Sequence, residues 1–522
     1  MKAVLAIDQG TTGTTGLVID ERGEVRGRAY AELPQHFPSP GWVEHEPEEI
    51  WASVVHAGRR ALAAAGVGEA GGSMQAAAGP DGRGGAGGVP GAGTLDVACI
   101  GITNQRETVV LWDRATGEPI HRAIVWQDRR TAGRCRELRD AGREAFIRER
   151  TGLVLDPYFS GTKVAWLLET VAGARARAER GELALGTIDS WLIWRMTGGR
   201  VHATDPTNAS RTLLYDIGAL RWSDELLALF GVPRALLPEV RPSSGDFGVA
   251  DASVFGQALP IAGVAGDQQA ALYGQACWAP GQAKNTYGTG AFLLLHTGGQ
   301  RVASSAGLLT TVACGARGEP AYALEGSIFI AGAAVQWLRD GLGVIESAHE
   351  TEALAASLAS NDGVYFVPAF VGLGAPHWDA EARGTIVGLT RGTGRAHLAR
   401  AALEAMAYGT HEVLQAMIAD SGVRLSELAV DGGAAQNDWL LQFQADLLGV
   451  PIRRPHLVET TALGAAALAG LSAGVWREPG ELAARTAPTI FSPCMDAATR
   501  ERLQAGWHRA VDAARAWARA GT

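Results

Sequence analysis

Residues 7–16 read IDQGTTGTTG: an apolar strand ends on a carboxylate, and the chain then reverses through a turn built of glycine and threonine. The same plan of short strand, Gly/Thr turn and outgoing apolar strand returns in GQAKNTYGTGAFLLLHTGG, which begins at Gly281, just past the middle of the 522 residues. A chain of this length exceeds what one hydrophobic core usually supports. Two domains of similar topology facing each other across a cleft account for the spacing of the two turns.

A Gly/Thr hairpin can surround phosphate oxygens with backbone N–H groups and hydroxyls, and needs no lysine to do so. The P-loop pattern GxxxxGK[ST] is absent from the chain, which removes the commoner route to nucleotide binding. Asp8, at the strand end, is placed to hold a phosphate-bound Mg²⁺ directly or through water, because Mg²⁺ keeps several waters and needs only one or two carboxylates. TYGTG (286–290) would close on the phosphates from the other domain. Either turn alone reads as an ordinary turn. A third element joins them: LSELAVDGGAAQNDWLLQFQADLLG predicts a strand, a Gly432-Gly433 turn and a helix with Trp439, Leu440, Phe443, Leu447 and Leu448 on its apolar face. The glycine pair lets a flat base approach the backbone, and Asn437 can cap the helix or hydrogen-bond a nucleoside. The three elements together point to an ATP cleft.

Around them the chain predicts an antiparallel meander from KAVLAID, GLVID and VRGRAYAE, with Gly23 at its second turn. A helix follows from Pro47, its first turn carrying Glu48 and Glu49 and its apolar side Ile50, Val54, Val55 and Leu62. LDVACIGITNQRETVVLWD predicts a strand pair, and the stretch after AIVWQDRRTA a helix. Residues 66–94 form a Gly/Ala-rich tract without apolar period, read as a surface insertion. Its GxGxxG matches, Gly66–Gly71 and Gly82–Gly87, neither follow a strand nor open a helix, so they carry no dinucleotide signal. GLSAG (470–474) lies in an Ala-rich helical stretch, which removes a nucleophile elbow, and HEVLQ (411–415) lacks the second histidine of a zincin.

A net charge of −9 with no basic run excludes a nucleic-acid footprint. The first apolar run, AVLAI, is too short for a signal-peptide core. The longest near-apolar window, Ala462–Trp476, is shorter than a bilayer requires, so no integral membrane protein is expected. Five scattered cysteines without CxxC read as a reduced, cytoplasmic protein.

The motifs DQGTTGTTG, GWVEHEPEEIW, GITNQRETVVLW, AIVWQDRRTA, GLVLDPYFSGTKVAWLL, GTIDSWLIW, TNASRT, AGDQQAALYGQ, KNTYGTGAF, GLGAPHWDAEARG and VDGGAAQND occur in order along the chain. In them the sequence resembles the FGGY carbohydrate kinase family of the actin-like ATPase superfamily, over essentially all of its length outside 66–94, and within that family the members acting on glycerol. The resemblance implies an α/β fold of two actin-like (ribonuclease-H-like) domains flanking an ATP/substrate cleft. Residues 1–272 would be the polyol side and 273–522 the nucleotide side. It implies ATP-dependent phosphorylation of glycerol to sn-glycerol 3-phosphate, the first step of glycerol catabolism, with Mg²⁺, in a homo-oligomer (dimer or tetramer). By the same resemblance Arg106, Glu107, Trp126, Tyr158, Asp267, Gln268 and Phe292 surround glycerol. Thr11, Thr12, Gly13, Thr289, Gly332, Gln336, Gly433 and Asn437 would hold the nucleotide, Asp8 the metal, and Asp267 would be the general base.

The chemistry of glycerol agrees with that set. Three hydroxyls on a three-carbon stem need charged hydrogen-bond partners, supplied by Arg106 and Glu107, and aromatic faces for the C–H groups, supplied by Trp126, Tyr158 and Phe292. The sequence departs from the family in its first turn, where serines and then an arginine usually follow DQGTT and here Gly13, Thr14 and Thr15 stand. Weaker ADP binding is the expected consequence. RPSSGDFGVADASVFGQALPIAG lacks both the Gly-rich loop with arginine that serves fructose 1,6-bisphosphate inhibition in some relatives and any histidine to accept a phosphoryl group. A pentulose kinase of the same family and a non-catalytic nucleotide switch are the competing readings. NQRE with DPYF favours a small triol over the first, and the carboxylate of Asp267 with Arg106 and Glu107 argues against the second.

Overall fold

The computed structural model describes residues 1–67, 95–457, 459–485 and 488–519. All but the first two residues of the 66–94 tract lie outside the described residues. The opening meander forms as expected: β1 (Lys2–Gln9), β2 (Gly13–Asp20) and β3 (Val25–Glu32) pair antiparallel in turn. β4 (Asp96–Asn104) runs parallel to β1, and β6 (Leu259–Gly266) parallel to β4, with β5 (Val249–Ala250) antiparallel at the edge. The sheet order is β5-β6-β4-β1-β2-β3.

The second half repeats this plan. β7 (Gln282–Tyr287) and β8 (Ala291–Gly298) form a hairpin, and β10 (Pro320–Ile328) pairs with β8 in the place that β3 takes beside β2. β11 (Glu427–Gly432) runs parallel to β7, and β12 (Ile452–Arg454) parallel to β11, as β4 and β6 do in the first sheet. β9 (Leu309–Cys314) and β13 (Thr489–Phe491) close the edges in the order β9-β10-β8-β7-β11-β12-β13. The likeness between the two Gly/Thr turns is therefore a likeness between two whole sheets.

Helices cover both sheets. α1 (Pro47–Ala64) lies on β2 and β3 with Ile50, Val54, Ala57, Ala61 and Leu62 buried, a spacing that keeps one helical face inward, while Val55 is half-buried. α2 (Ser160–Thr170) and α3 (Asp267–Gly274) belong to the first half. α4 (Gly332–Asp340), α5 (Arg395–Ser421) and α6 (Asp438–Leu448) belong to the second, where Leu440, Phe443 and Leu447 are buried, each contributing about 2 kcal/mol of transfer free energy. α7 (Thr460–Ser472), although late in sequence, packs on β1, β4, β6 and α3 of the first half. It comes so close that a Cβ on Gly101 would sit 2.2 Å from the Ala465 carbonyl oxygen and one on Gly263 2.4 Å from the Ala469 nitrogen. The Ala/Gly composition of this window is thus the mark of a helix in direct contact with a sheet. Among the described residues no helix is long and apolar enough to cross a membrane.

One expectation fails. The strands around NQRE do not pair: β4 stays in the six-stranded sheet, whereas Val109–Asp113 pairs with Leu183–Thr187 and Ala123–Ile124 in a separate four-stranded sheet. Apolar alternation marks strands without marking partners, and the residues between are too buried to make a hairpin tip. Gln105, Arg106, Glu107 and Thr108 are all buried, and Glu107 takes a left-handed φ of 61° that turns the chain from one sheet into the other.

Candidate active site

The parallel strands β1, β4 and β6 end side by side, at Asp8-Gln9, at Asn104 and at Gly266. Three functional candidates follow from those ends: Asp8 itself, the Arg106-Glu107 turn just after β4, and Asp267 as the first residue of α3. The carboxyl ends of parallel strands are the usual place for a ligand in an α/β sheet.

Arg106, 2% exposed, is the hub. Its Nε lies 3.2 Å from Asp267 Oδ1 and 3.7 Å from Glu107 Oε1. Its Nη1 and Nη2 donate to Glu325 Oε2 and Oε1 at 2.7 and 3.1 Å. Arg211, fully buried, donates from Nε to Glu107 Oε1 at 2.6 Å and from Nη2 to Glu325 Oε1 at 2.9 Å. Two arginines thus alternate with two glutamates, and Glu325 comes from β10 of the second sheet. Burial alone would raise the Glu325 carboxyl, but Arg106 and Arg211 outweigh it and hold it at about 2. Glu107 goes the other way, because its burial exceeds the pull of the same two arginines. The Asp267 side chain remains 32% exposed and accepts from the Gln268 N–H at 2.7 Å. Asp8 is pushed up to about 7, first by burial and then by the charge of Asp267.

Trp126, Tyr158 and Phe292 line one cavity of about 630 Å³ together with Glu325, Phe329 and Trp378. Trp126 and Tyr158 meet edge to face with centroids 5.4 Å apart. A second cavity of about 520 Å³ is lined by Gly288, Thr289, Gly332, Gln336, Gly433 and Asn437. Thr289 lines both cavities. The β7–β8 turn is fixed on α4: the Ala331 and Ala333 N–H groups donate to the Thr289 carbonyl at 2.8 and 3.1 Å, and Gly332 N–H to the Gly288 carbonyl at 3.0 Å. Asn437 caps α6 by accepting from Leu440 N–H at 2.9 Å, while its amide nitrogen donates to Thr351 at 3.2 Å.

The first Gly/Thr turn stands apart from both cavities: Thr11, Thr12 and Gly13 line neither. It is tied to the aromatic cavity by Trp126 Nε1, which donates to Thr11 Oγ1 at 2.9 Å. Tyr30 fills the space beside Gly13, where a Cβ would come within 2.3 Å of the Tyr30 hydroxyl oxygen, and that hydroxyl donates to the Thr12 carbonyl at 3.1 Å. Gln268 also lines neither cavity; its side-chain oxygen accepts from Lys284 Nζ, a buried ammonium that burial pulls down to about 8.

Arg211, Glu325 and Lys284 are the residues that sequence reasoning missed. Glu325 left a trace, as a lone charge in the apolar run of β10. Arg211 sits inside TNASRT, where nothing in the local pattern distinguishes it from a surface arginine.

The N-terminal domain of the FGGY family of carbohydrate kinases matches residues 3–274, and the C-terminal domain of the same family residues 283–473. A glycerol kinase of Carboxydothermus hydrogenoformans is 55% identical over 518 residues, 99% of each chain. One of Symbiobacterium thermophilum is 56% identical over 516 residues, again 99% of each. Among solved structures, Plasmodium falciparum glycerol kinase with ADP superposes with a TM-score of 0.89 at 35% identity over 98% of both chains. A ligand-bound xylulose kinase from Lactobacillus acidophilus reaches 0.82 at 21% identity over 98% of both, a likeness of fold.

Proposed function

We propose that this chain, which belongs to the FGGY family of carbohydrate kinases, phosphorylates glycerol with ATP to give sn-glycerol 3-phosphate. The observation that carries the reading is the Arg106–Asp267 contact of 3.2 Å at the strand ends, beside an aromatic cavity that Thr289 joins to a second cavity. A polyol with one hydroxyl at Asp267 and its carbons against Trp126, Tyr158 and Phe292 would present that hydroxyl toward a nucleotide held by Thr289, Gly332, Gln336, Gly433 and Asn437. Glu107 and Gln268 complete the polar side of the polyol site, and Thr11, Thr12 and Gly13 face the phosphates from the first domain. We assign residues 1–272 to the polyol half and 273–522 to the nucleotide half, from which α7 packs on the first sheet and Phe292 and Glu325 reach the polyol cavity.

In the reaction, Asp267 takes the proton of the terminal hydroxyl as that oxygen attacks the γ-phosphorus, and ADP leaves in line. Arg106 orients the carboxylate by holding Oδ1, and the partial exposure of Asp267 leaves it accessible to substrate. General-base help contributes about 10²- to 10⁴-fold. Orientation of the two substrates can contribute more, about 7–11 kcal/mol, because a loose phosphoryl transition state demands little early deprotonation. Closing the cleft would exclude water and limit ATP hydrolysis.

Mg²⁺ fits the donors present. Asp8 and Asp267 are two hard oxygen donors near enough for the charge of one to raise the other, and among the described residues no larger group of His, Cys, Asp or Glu offers an all-protein cage. One or two carboxylates with waters and substrate phosphates is the usual Mg²⁺ arrangement. When bound, the ion supplies neutralisation of phosphate charge. A coupled ADP-release assay across glycerol, dihydroxyacetone, xylulose and ribulose tests the reading: glycerol should give the highest kcat/KM, and a preference for either pentulose would overturn it.

A further inference from the structure

Lys163 is a fully buried lysine in the first turn of α2. A cation there opposes the helix dipole, and an ammonium taken out of water is costly unless its protons are satisfied. Among the described residues no carboxylate lies within ion-pair distance of it. Its Nζ instead donates to three backbone carbonyls, of Tyr158 at 2.8 Å, Glu107 at 3.2 Å and Val125 at 3.4 Å. These come from three separate segments, and each is at, or next to, a residue of the polyol site: Tyr158, Glu107 with its neighbour Arg106, and Trp126 after Val125. The Glu107 carbonyl also accepts from Ser160 Oγ at 3.0 Å. Glu107 needs this hold, because its φ of 61° is a conformation that costs a non-glycine residue about 1–3 kcal/mol.

We propose that Lys163 is the positioning residue of the polyol site: its ammonium gathers the carbonyls of Glu107, Val125 and Tyr158 and thereby fixes the acidic turn and both aromatic rings around the polyol. Burial pulls this lysine down to about 7, against the raising charges of Glu107, Asp128 and Asp156 and with Arg129 adding to the pull. The ammonium is therefore kept at a cost that three carbonyls offset. None of the three contacts reaches the nucleotide cavity, and the bond from the Trp126 indole to Thr11 is made apart from them, so the effect should fall on the polyol.

The proposal rests on the glycerol-kinase reaction proposed above, and the experiment separates the two. Wild-type turnover is first measured with glycerol and the other polyols; failure with glycerol but turnover of another polyol overturns that reading and moves the test of Lys163 to the polyol used. Steady-state KM values for polyol and ATP are then compared in Lys163→Met, Lys163→Gln and Ser160→Ala. A tenfold or greater rise in polyol KM is expected for Lys163→Met, with a smaller rise in Lys163→Gln, which keeps two N–H donors, and in Ser160→Ala. ATP KM should stay within twofold of wild type in all three. A lysine that only filled the core would lower melting temperature and leave polyol KM unchanged. Should Lys163→Met fail to fold, unchanged polyol KM in both Lys163→Gln and Ser160→Ala overturns the proposal, as does an equal rise in both KM values.

Discussion

Arg106 and Glu325 form a two-bond ion pair, 2.7 and 3.1 Å, between the turn that follows β4 in the first sheet and β10 in the second. The pair is buried, 2% and 4% exposed at the side chains, and the Arg106 that it anchors is the same one that contacts Asp267. The contact with Asp267 and the packing of the two sheets therefore share one guanidinium. Glu325→Gln would leave Arg106 and Arg211 facing a neutral amide in the interior, and breaking a buried pair costs about 3–5 kcal/mol. A markedly lower melting temperature together with a raised glycerol KM is expected in thermal unfolding and steady-state assays. An unchanged melting temperature would remove Glu325 from the network.

Asp8 sets a pH dependence with opposite signs for stability and for activity. Its carboxyl is raised from 3.8 to about 7 by burial and by Asp267, so between those values the folded chain holds a proton that the unfolded chain has released. The group stabilises the fold at low pH, and that contribution is lost as pH rises through 7. In the metal role proposed for Asp8 the ionised form holds Mg²⁺-nucleotide, so kcat/KM for ATP should climb through pH 7. Asp8→Asn should lower activity and abolish the inflection; a profile with the same inflection in the variant would assign it to another group.

Thr15 stands directly opposite Asp8 in the β1–β2 register, which places both side chains on one face of the sheet. An arginine at this position would pair with Asp8 as well as approach nucleotide phosphates. Thr15→Arg is expected to tighten ADP binding in calorimetry and to move the pH inflection below 7. Tighter binding with an unmoved inflection would mean that the new charge reaches phosphate alone.

Trp126, which lines the aromatic cavity, donates its indole N–H to Thr11 of the first Gly/Thr turn, and in the proposed site this bond would link polyol and nucleotide. Trp126→Phe keeps an aromatic face and deletes that bond, whose net value is about 0.5–1.5 kcal/mol, equivalent to up to about tenfold in binding. Both KM values should rise by several-fold. If ATP KM holds constant while glycerol KM rises, the bond to the first Gly/Thr turn has no functional weight.

The elements set by local chemistry were legible in the sequence: the meander with Gly23 at a positive φ of 82°, α1 starting at Pro47, and the strand, Gly-Gly turn and Asn437-capped helix around residue 433. Each depends on residues within one turn of each other. The partner of Val109–Asp113 was not legible, because its alternation specifies a buried face and says nothing of which sheet it joins. The same limit hid half of the charged network. Arg106 and Glu107 announce themselves as adjacent charges after a strand, whereas Arg211 and Glu325 lie 104 and 219 positions away from their partners and meet them only in the folded molecule. The Gly13–Tyr30 packing explains one departure of the first turn in physical terms, since the ring occupies the volume that a serine side chain would need.

The most direct test of the account is the turnover of Asp267→Asn with saturating glycerol and ATP. The variant keeps the size and one acceptor oxygen of the side chain but cannot take a proton. A fall in kcat of about 10²- to 10⁴-fold is expected, with glycerol KM close to wild type. Turnover near the wild-type rate would contradict it and remove Asp267 from the proton transfer.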